Sequence, residues 1–169
     1  QSVFVYAAET YGTRGVEDIY VTTKGSNGKW SEPRNLGNTI NTAFQELSPS
    51  LSADGKTLFF SSNGRKGLGS FDIYSSVRLD DTWTNWTTPV NMGAGYNTEG
   101  RELSYRVYES AGFSLFTSTK NSDGYGDIRI HLLDQPFRQD STVQQIVSVP
   151  DTVTKFVEIP REPVEDKRV

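Results

Sequence analysis

The segment that decides the fold is residues 46–74, which read ELSPSLSADGKTLFFSSNGRKGLGSFDIY. It begins with a short alternation of apolar and polar residues and turns at residues 53–56, where a glycine suits a positive φ. A run of β-forming residues follows at 57–62, and then a glycine-rich loop at 63–70. From residue 71 the chain alternates again with the period of two that is typical of a strand. The segment therefore predicts a β-meander with turns of unequal length.

The same pattern occurs twice more along the chain. Residues 3–20 align with residues 57–74 without a gap, and residues 114–130 follow the same plan after a one-residue adjustment. In the connecting segments nine residues recur at a constant offset of 56, beginning with Trp30 and Trp86. Chance does not explain this agreement, so the chain is built from a repeated unit.

The repeats divide the chain into two parts. We expect repeats over residues 1–133, as a partial unit at 3–42, a complete four-stranded unit at 46–98 and a partial unit at 102–133. The chain begins just before the second strand of a unit, so the first unit is expected to lack its first strand. The fourth strand, at residues 30–36 in the first unit, contains a proline and is expected at a sheet edge. Residues 134–169, rich in Pro, Val and charged residues, are expected to form an extended tail or linker with room for one strand.

A four-stranded unit has two apolar faces and can cover neither alone, so such units must stack on each other. This is the design of a β-propeller, and the fold class expected is all-β, built of propeller blades that are four-stranded antiparallel repeats. Propellers close with at least four blades. The chain is therefore expected to be a partial propeller from a longer protein or, alternatively, to close with another chain.

Composition narrows the possible functions. The net charge of −4 gives no electrostatic footprint for nucleic acid. The sequence has no cysteine and a single histidine, His131, which we place at the rim or surface rather than in a metal site. No apolar run is long enough to insert into a membrane, and neither a catalytic triad nor a P-loop pattern is present. We expect no catalytic residues, no metal and no cofactor.

The sequence also resembles a known family. The residues that carry the resemblance are SPSLSADGKTLFFSS at 48–62, Gly69, FDIY at 71–74 and the pattern Trp86-x-x-Pro-x-Asn. They resemble the WD-like propeller repeat of the TolB type over residues 3–133, in the long-loop variant of Bacteroidetes envelope proteins. Such proteins often carry an OmpA-like peptidoglycan-binding domain, and one belongs to the type IX secretion machinery.

The resemblance implies a non-enzymatic binding and scaffolding module of the bacterial cell envelope. It implies a periplasmic location associated with the outer membrane, protein partners in an envelope complex, and contact with peptidoglycan through a domain outside this chain. Two alternatives stay open. One is a glycan-acting, sialidase-like propeller hydrolase, since residues 52–55 partly resemble an Asp box with different spacing and no tryptophan. The other is a TolB-like accessory of a transport complex.

The repeated polar and aromatic residues are expected to have structural roles. Asp18, Asp72 and Asp127 occupy one position of the repeat, and we expect each to accept hydrogen bonds from the adjoining glycine-rich loop. Trp30 and Trp86 recur and are expected to pack. The tryptophan that does not recur, Trp83, is expected to be exposed.

The core is expected to repeat with the strands. Equivalent buried positions are predicted for the third-strand residues Ile19, Ile73 and Ile128. In the second strands, buried positions are predicted for Phe4, for Leu58 or Phe60, and for Phe116. Asp54 is expected to cap its own turn.

The long loops are the expected recognition site. Alternate connections of a meander emerge at one end, so the loops after every second strand share an edge with the connections between units. Varying loops on a repeating scaffold are where recognition usually lies, although exposed loop tips without a partner are an equal alternative. The predicted partner-binding rim comprises Tyr11, Arg14, Arg65, Lys66, Tyr96, Arg101 and Tyr125, with Thr13, Phe44, Glu46, Glu99, Glu102 and Asp123 beside them. Its predicted anchors are Arg14, Arg65, Tyr96 and Arg101.

Overall fold

The structure, a computed structural model, describes residues 2–133 and shows an all-β chain of ten strands within that range. The prediction of an extended tail at residues 134–169 lies outside the described residues. The strands are β1 (Val3–Ala8), β2 (Asp18–Thr23), β3 (Arg34–Asn35), β4 (Glu46–Leu51), β5 (Thr57–Ser62), β6 (Asp72–Val77), β7 (Val90–Asn91), β8 (Glu102–Tyr108), β9 (Phe113–Ser118) and β10 (Asp127–Leu132). A single turn of 3-10 helix, Glu109–Ala111, precedes β9.

The strands form three antiparallel sheets whose order follows the chain. The first sheet is β1-β2-β3, the middle sheet is β4-β5-β6-β7, and the third sheet is β8-β9-β10. The short strands β3 and β7 lie at sheet edges, as the prolines predict, but each is only two residues long. The fourth strand predicted at residues 30–36 is therefore mostly irregular, apart from a bridge between Lys24 and Trp30.

Local sequence explains the irregular points of the inner strands. β4 slips register between Leu47 and Ser50, and β8 slips in the same way between Leu103 and Arg106. At each slip a serine has a positive φ, 50° at Ser48 and 60° at Ser104. The turn after β4 is closed by Asp54, which accepts a hydrogen bond from the backbone N–H of Lys56 at 3.0 Å. The predicted capping role of Asp54 is thus confirmed.

The core lies between sheets that follow each other along the chain. We call the side of a sheet that faces the next sheet its forward face, and the other side its backward face. Ile19 and Val21 on the first sheet pack with Leu58, Phe60 and Tyr74 on the backward face of the middle sheet. The next interface joins two forward-face residues of the middle sheet, Phe59 and Ile73, to Tyr105 and Phe116 of the third sheet. Neighbouring residues such as Ile73 and Tyr74 serve opposite interfaces because successive side chains of a strand alternate in direction.

Two of the predicted core positions are wrong. Ile19, Ile73, Leu58, Phe60 and Phe116 are buried, but Ile128 is 67% exposed and Phe4 is 57% exposed. The strand patterns are correct. The side chains are exposed because Ile128 lies on the forward face of the third sheet and Phe4 on the backward face of the first, where no described residues cover them.

Of the three tryptophan predictions, one is confirmed and two are wrong. Trp86 is buried as predicted, whereas Trp30 is 50% exposed and the predicted exposed residue, Trp83, is buried. The loop at residues 79–85 is longer than the equivalent turn at 25–29 and brings Trp83 against Trp86, with 6.0 Å between ring centroids. Arg78 covers Trp83 with its guanidinium 4.3 Å from the ring centroid. The shorter turn has no residue with which to cover Trp30.

Candidate partner-binding edge

The long loops and the connections between sheets meet at one edge of the stack, as the strand order predicts. This loop edge comprises the loops at residues 9–17, 63–71 and 119–126 and the connections at 37–45 and 93–101. The N–H of Val16 donates to the carbonyl of Phe44 at 3.0 Å, and that of Ser70 donates to the carbonyl of Gly100 at 2.9 Å. Gly69 packs so closely on the connection that a Cβ at this position would clash with the carbonyl oxygen of Gly100. The loop edge is therefore hydrogen-bonded from one sheet to the next.

Two of the repeated aspartates hold their loops as predicted. The Asp18 carboxylate accepts a hydrogen bond from the N–H of Arg14 at 2.9 Å. The Asp72 carboxylate accepts from the N–H groups of Leu68 at 2.6 Å and Gly69 at 2.9 Å. Asp127 is half-buried with one carboxylate oxygen 3.8 Å from Arg129, and its predicted bond to the loop stays a prediction.

A repeated pair of asparagines continues this network, and sequence reasoning missed its role. Asn91 donates to Asp72 at 2.8 Å and accepts from Asn97, also at 2.8 Å. The buried Asn97 then accepts from the N–H of Ile73 and donates to its carbonyl, as a neighbouring strand would. Asn35 and Asn41 repeat the arrangement around Asp18 and Ile19. The signal was present, because both asparagines belong to the nine residues that recur at a constant offset.

Two glutamates predicted beside the rim lie inside the protein instead. Glu46 and Glu102 are completely buried. The Glu46 carboxylate accepts from the N–H and hydroxyl of Thr42 and from the hydroxyl of Ser62 at 2.7–2.8 Å. Glu102 is held by the equivalent groups of Thr98 and Ser118 at 2.6–2.9 Å. Each connection turns back into an inner strand here, and its buried donors require an acceptor.

Arg65, a predicted anchor, is also directed into the protein. One guanidinium nitrogen donates to the carbonyls of Thr39 at 2.8 Å and Ile40 at 2.7 Å, in the preceding connection. The guanidinium lies 5.7 Å from the Phe60 ring centroid and 5.9 Å from that of Tyr74. Burial lowers the pKa of Arg65, while the Glu46 carboxylate and Tyr74 act in the opposite direction. Arg65 thus ties its loop to the first unit.

The inward position of the Arg65 side chain predicts an effect on the free energy of unfolding. Replacing Arg65 by alanine is expected to lower the free energy of unfolding by about 1–2 kcal/mol, because two part-buried carbonyls lose a charged donor. Its exposed neighbour offers a matched control, and Lys66→Ala should change the same quantity by less than about 0.5 kcal/mol. Urea denaturation measures both, and equal midpoints for the two variants would contradict the internal role of Arg65.

The two predicted anchors in the second connection, Tyr96 and Arg101, differ in exposure. Tyr96 is half-buried, and its hydroxyl lies 2.9 Å from Nδ1 of His131, which is also half-buried. Its ring packs on Tyr105 and Phe116, so Tyr96 belongs to the sheet interface. Arg101 is exposed, with its guanidinium 4.7 Å from the Phe71 ring centroid.

Several exposed side chains of the loop edge are apolar or aromatic. Tyr11 and Tyr125, both predicted for the rim, are exposed at loop tips, as are the cations Arg14 and Lys66. Phe44 is exposed in the first connection, and sequence reasoning missed two exposed neighbours, Val16 and Leu68. We call Tyr11, Val16, Phe44, Leu68 and Tyr125 the exposed apolar set.

Comparison with known proteins adds no further information on this edge. No protein-family model matches the sequence, and no curated protein matches it. Within residues 2–133, no three His, Asp or Glu side chains are placed to hold a metal ion. The described part of the chain has no helix with the length and apolarity needed to cross a membrane. The resemblance to the TolB-type repeat therefore stays a prediction.

Proposed function

We propose that the three sheets are blades of a partial β-propeller that serves as a non-enzymatic binding and scaffolding module of the bacterial cell envelope. The support is the repeat itself, together with a complete middle unit whose four strands follow each other in order across one sheet. The resemblance of residues 3–133 to the TolB-type repeat supports a periplasmic location with outer-membrane association. Peptidoglycan contact would come from a domain outside this chain.

The observation that carries a binding role is the exposed apolar set. The loops that carry Tyr11, Val16 and Leu68 are held by hydrogen bonds to Asp18 and Asp72. The N–H of Val16 also donates to the carbonyl of Phe44 in the neighbouring connection. Apolar residues gathered on the loops of a rigid scaffold are typical of protein interaction sites, and tyrosine is favoured among interface anchors. The partner proposed is therefore a protein with an apolar patch, and the anchors are Tyr11, Phe44 and Tyr125 rather than Arg65 and Tyr96.

The buried carboxylates favour binding over glycan hydrolysis. Hydrolysis by two carboxylates requires a pair that faces a substrate across a cleft. Asp18, Asp72, Glu46 and Glu102 are buried, and each accepts hydrogen bonds from the protein's own donors. Their geometry serves the connections between strands.

Partner capture tests the proposal. The triple variant Tyr11→Ser, Phe44→Ser, Tyr125→Ser is expected to capture at least about tenfold less partner than the parent, because aromatic anchors carry much of the binding energy of an interface. Its melting temperature should not change, since all three side chains are exposed. The measurement is a pull-down from an envelope extract of the source organism with the captured proteins quantified.

The matched control has three exposed apolar residues away from the loop edge. The variant Trp30→Ser, Leu79→Ser, Val90→Ser removes similar surface and is expected to capture partner as the parent does. Full capture by the loop-edge variant together with lost capture by the control would show that binding uses another surface.

A further inference from the structure

The two internal interfaces of this chain follow one scheme. In each, a buried third-strand isoleucine on a forward face meets aromatic residues on the backward face of the next sheet. Ile19 shares a cluster with Phe60 and Tyr74, and Ile73 shares one with Tyr105 and Phe116. Both isoleucines have no exposed surface. A forward face and a backward face of this repeat are therefore complementary.

The described part of the chain ends in one uncovered face of each kind. On the forward face of the third sheet, Ile128 pairs with Thr117 as Ile73 pairs with Ser61, so the two isoleucines are equivalent. Ile128 and Leu132 on this face are both more than half exposed. On the backward face of the first sheet, the pair Tyr6 and Tyr20 corresponds to Phe60 and Tyr74. Tyr20 is buried and Tyr6 half-buried, whereas Phe4 on the same face is 57% exposed.

The backward face of the first sheet is an aromatic row. Phe4 and Tyr6 stack with 5.5 Å between ring centroids, and Tyr6 and Tyr20 with 6.0 Å. The hydroxyl of Tyr20 bonds to Thr10 at 2.9 Å, which fixes the end of the row. Inside this chain, the forward-face isoleucine of one sheet packs against aromatic residues of this kind on the backward face of the next sheet.

We propose that the forward face of the third sheet binds the backward face of the first sheet of a second copy of this chain. The contact is head-to-tail, because the two faces differ and the complementary pairs inside this chain each join a forward face to a backward face. It extends the stacking already present between the three sheets and buries Ile128 and Phe4. This inference does not depend on the loop edge, which remains accessible in such an assembly.

Two single variants of the full chain test the proposal. Phe4→Glu blocks the backward face and Ile128→Glu blocks the forward face. Sedimentation velocity should show the parent chain gaining mass with concentration, whereas each variant alone stays monomeric, with association weakened at least about tenfold. An equimolar mixture of the two variants should recover a 1:1 dimer, because one unmodified face of each kind remains.

The mixture separates this proposal from other arrangements. Leu79→Glu, at an exposed apolar residue on neither face, should associate as the parent does. Melting curves for each variant confirm that it is folded. A parent chain that stays monomeric to about 100 μM overturns the proposal, since other residues then cover these faces or they remain open. A mixture that stays monomeric while the parent associates overturns it as well.

Discussion

Truncation of Ile73 to alanine is expected to lower the free energy of unfolding by roughly 2–5 kcal/mol. The side chain has no exposed surface and packs in one cluster with Phe59, Tyr105 and Phe116. Its backbone N–H and carbonyl are both held by Asn97, which limits how far β6 can move to fill the cavity. A urea denaturation series followed by tryptophan fluorescence measures the loss.

The equivalent isoleucine of the third sheet is the matched control. Ile128→Ala removes the same atoms from a side chain that is 67% exposed, and it should cost less than about 1 kcal/mol. Both measurements belong at protein concentrations where the chain is monomeric. A cost below about 0.5 kcal/mol for Ile73→Ala would mean that the middle and third sheets do not pack through this residue.

The contrast between these two isoleucines shows how far sequence reasoning reaches. The alternation around Ile128 is as regular as that around Ile73, and both residues lie in third strands. A strand pattern separates the two faces of a sheet, but it does not say whether another sheet lies against each face. The alternation therefore predicted the positions of the strands, but it could not predict whether Phe4 and Ile128 are buried.

The direction of the side chains at the loop edge was the other feature that could not be predicted from the sequence. The strand order predicted which loops share an edge, and the backbone contacts between Val16 and Phe44 confirm it. It did not predict that Arg65 turns inward to two carbonyls or that Glu46 is completely buried. Those outcomes depend on backbone groups that the connections leave without partners, and sequence patterns do not count them.

The buried glutamates carry the second large prediction. Replacing Glu102 by leucine is expected to lower the free energy of unfolding by about 3–5 kcal/mol, even though the two side chains are similar in size. The carboxylate accepts from the N–H and hydroxyl of Thr98 and from the hydroxyl of Ser118. Leucine would leave these donors without an acceptor at the point where the connection enters β8.

A conservative change and an exposed control separate hydrogen bonding from packing. Glu102→Gln keeps one acceptor oxygen, so the free energy of unfolding should fall by less than in Glu102→Leu. A loss of about 1–3 kcal/mol remains, because the NH₂ group of glutamine would face hydrogen-bond donors. Glu9→Leu, at an exposed loop position, should change the free energy of unfolding by less than about 0.5 kcal/mol. The expected order in urea denaturation is therefore Glu102→Leu least stable, then Glu102→Gln, then Glu9→Leu. If Glu102→Leu were as stable as the parent, solvent would already satisfy Thr98 and Ser118. The connection would then not be held by its buried carboxylate.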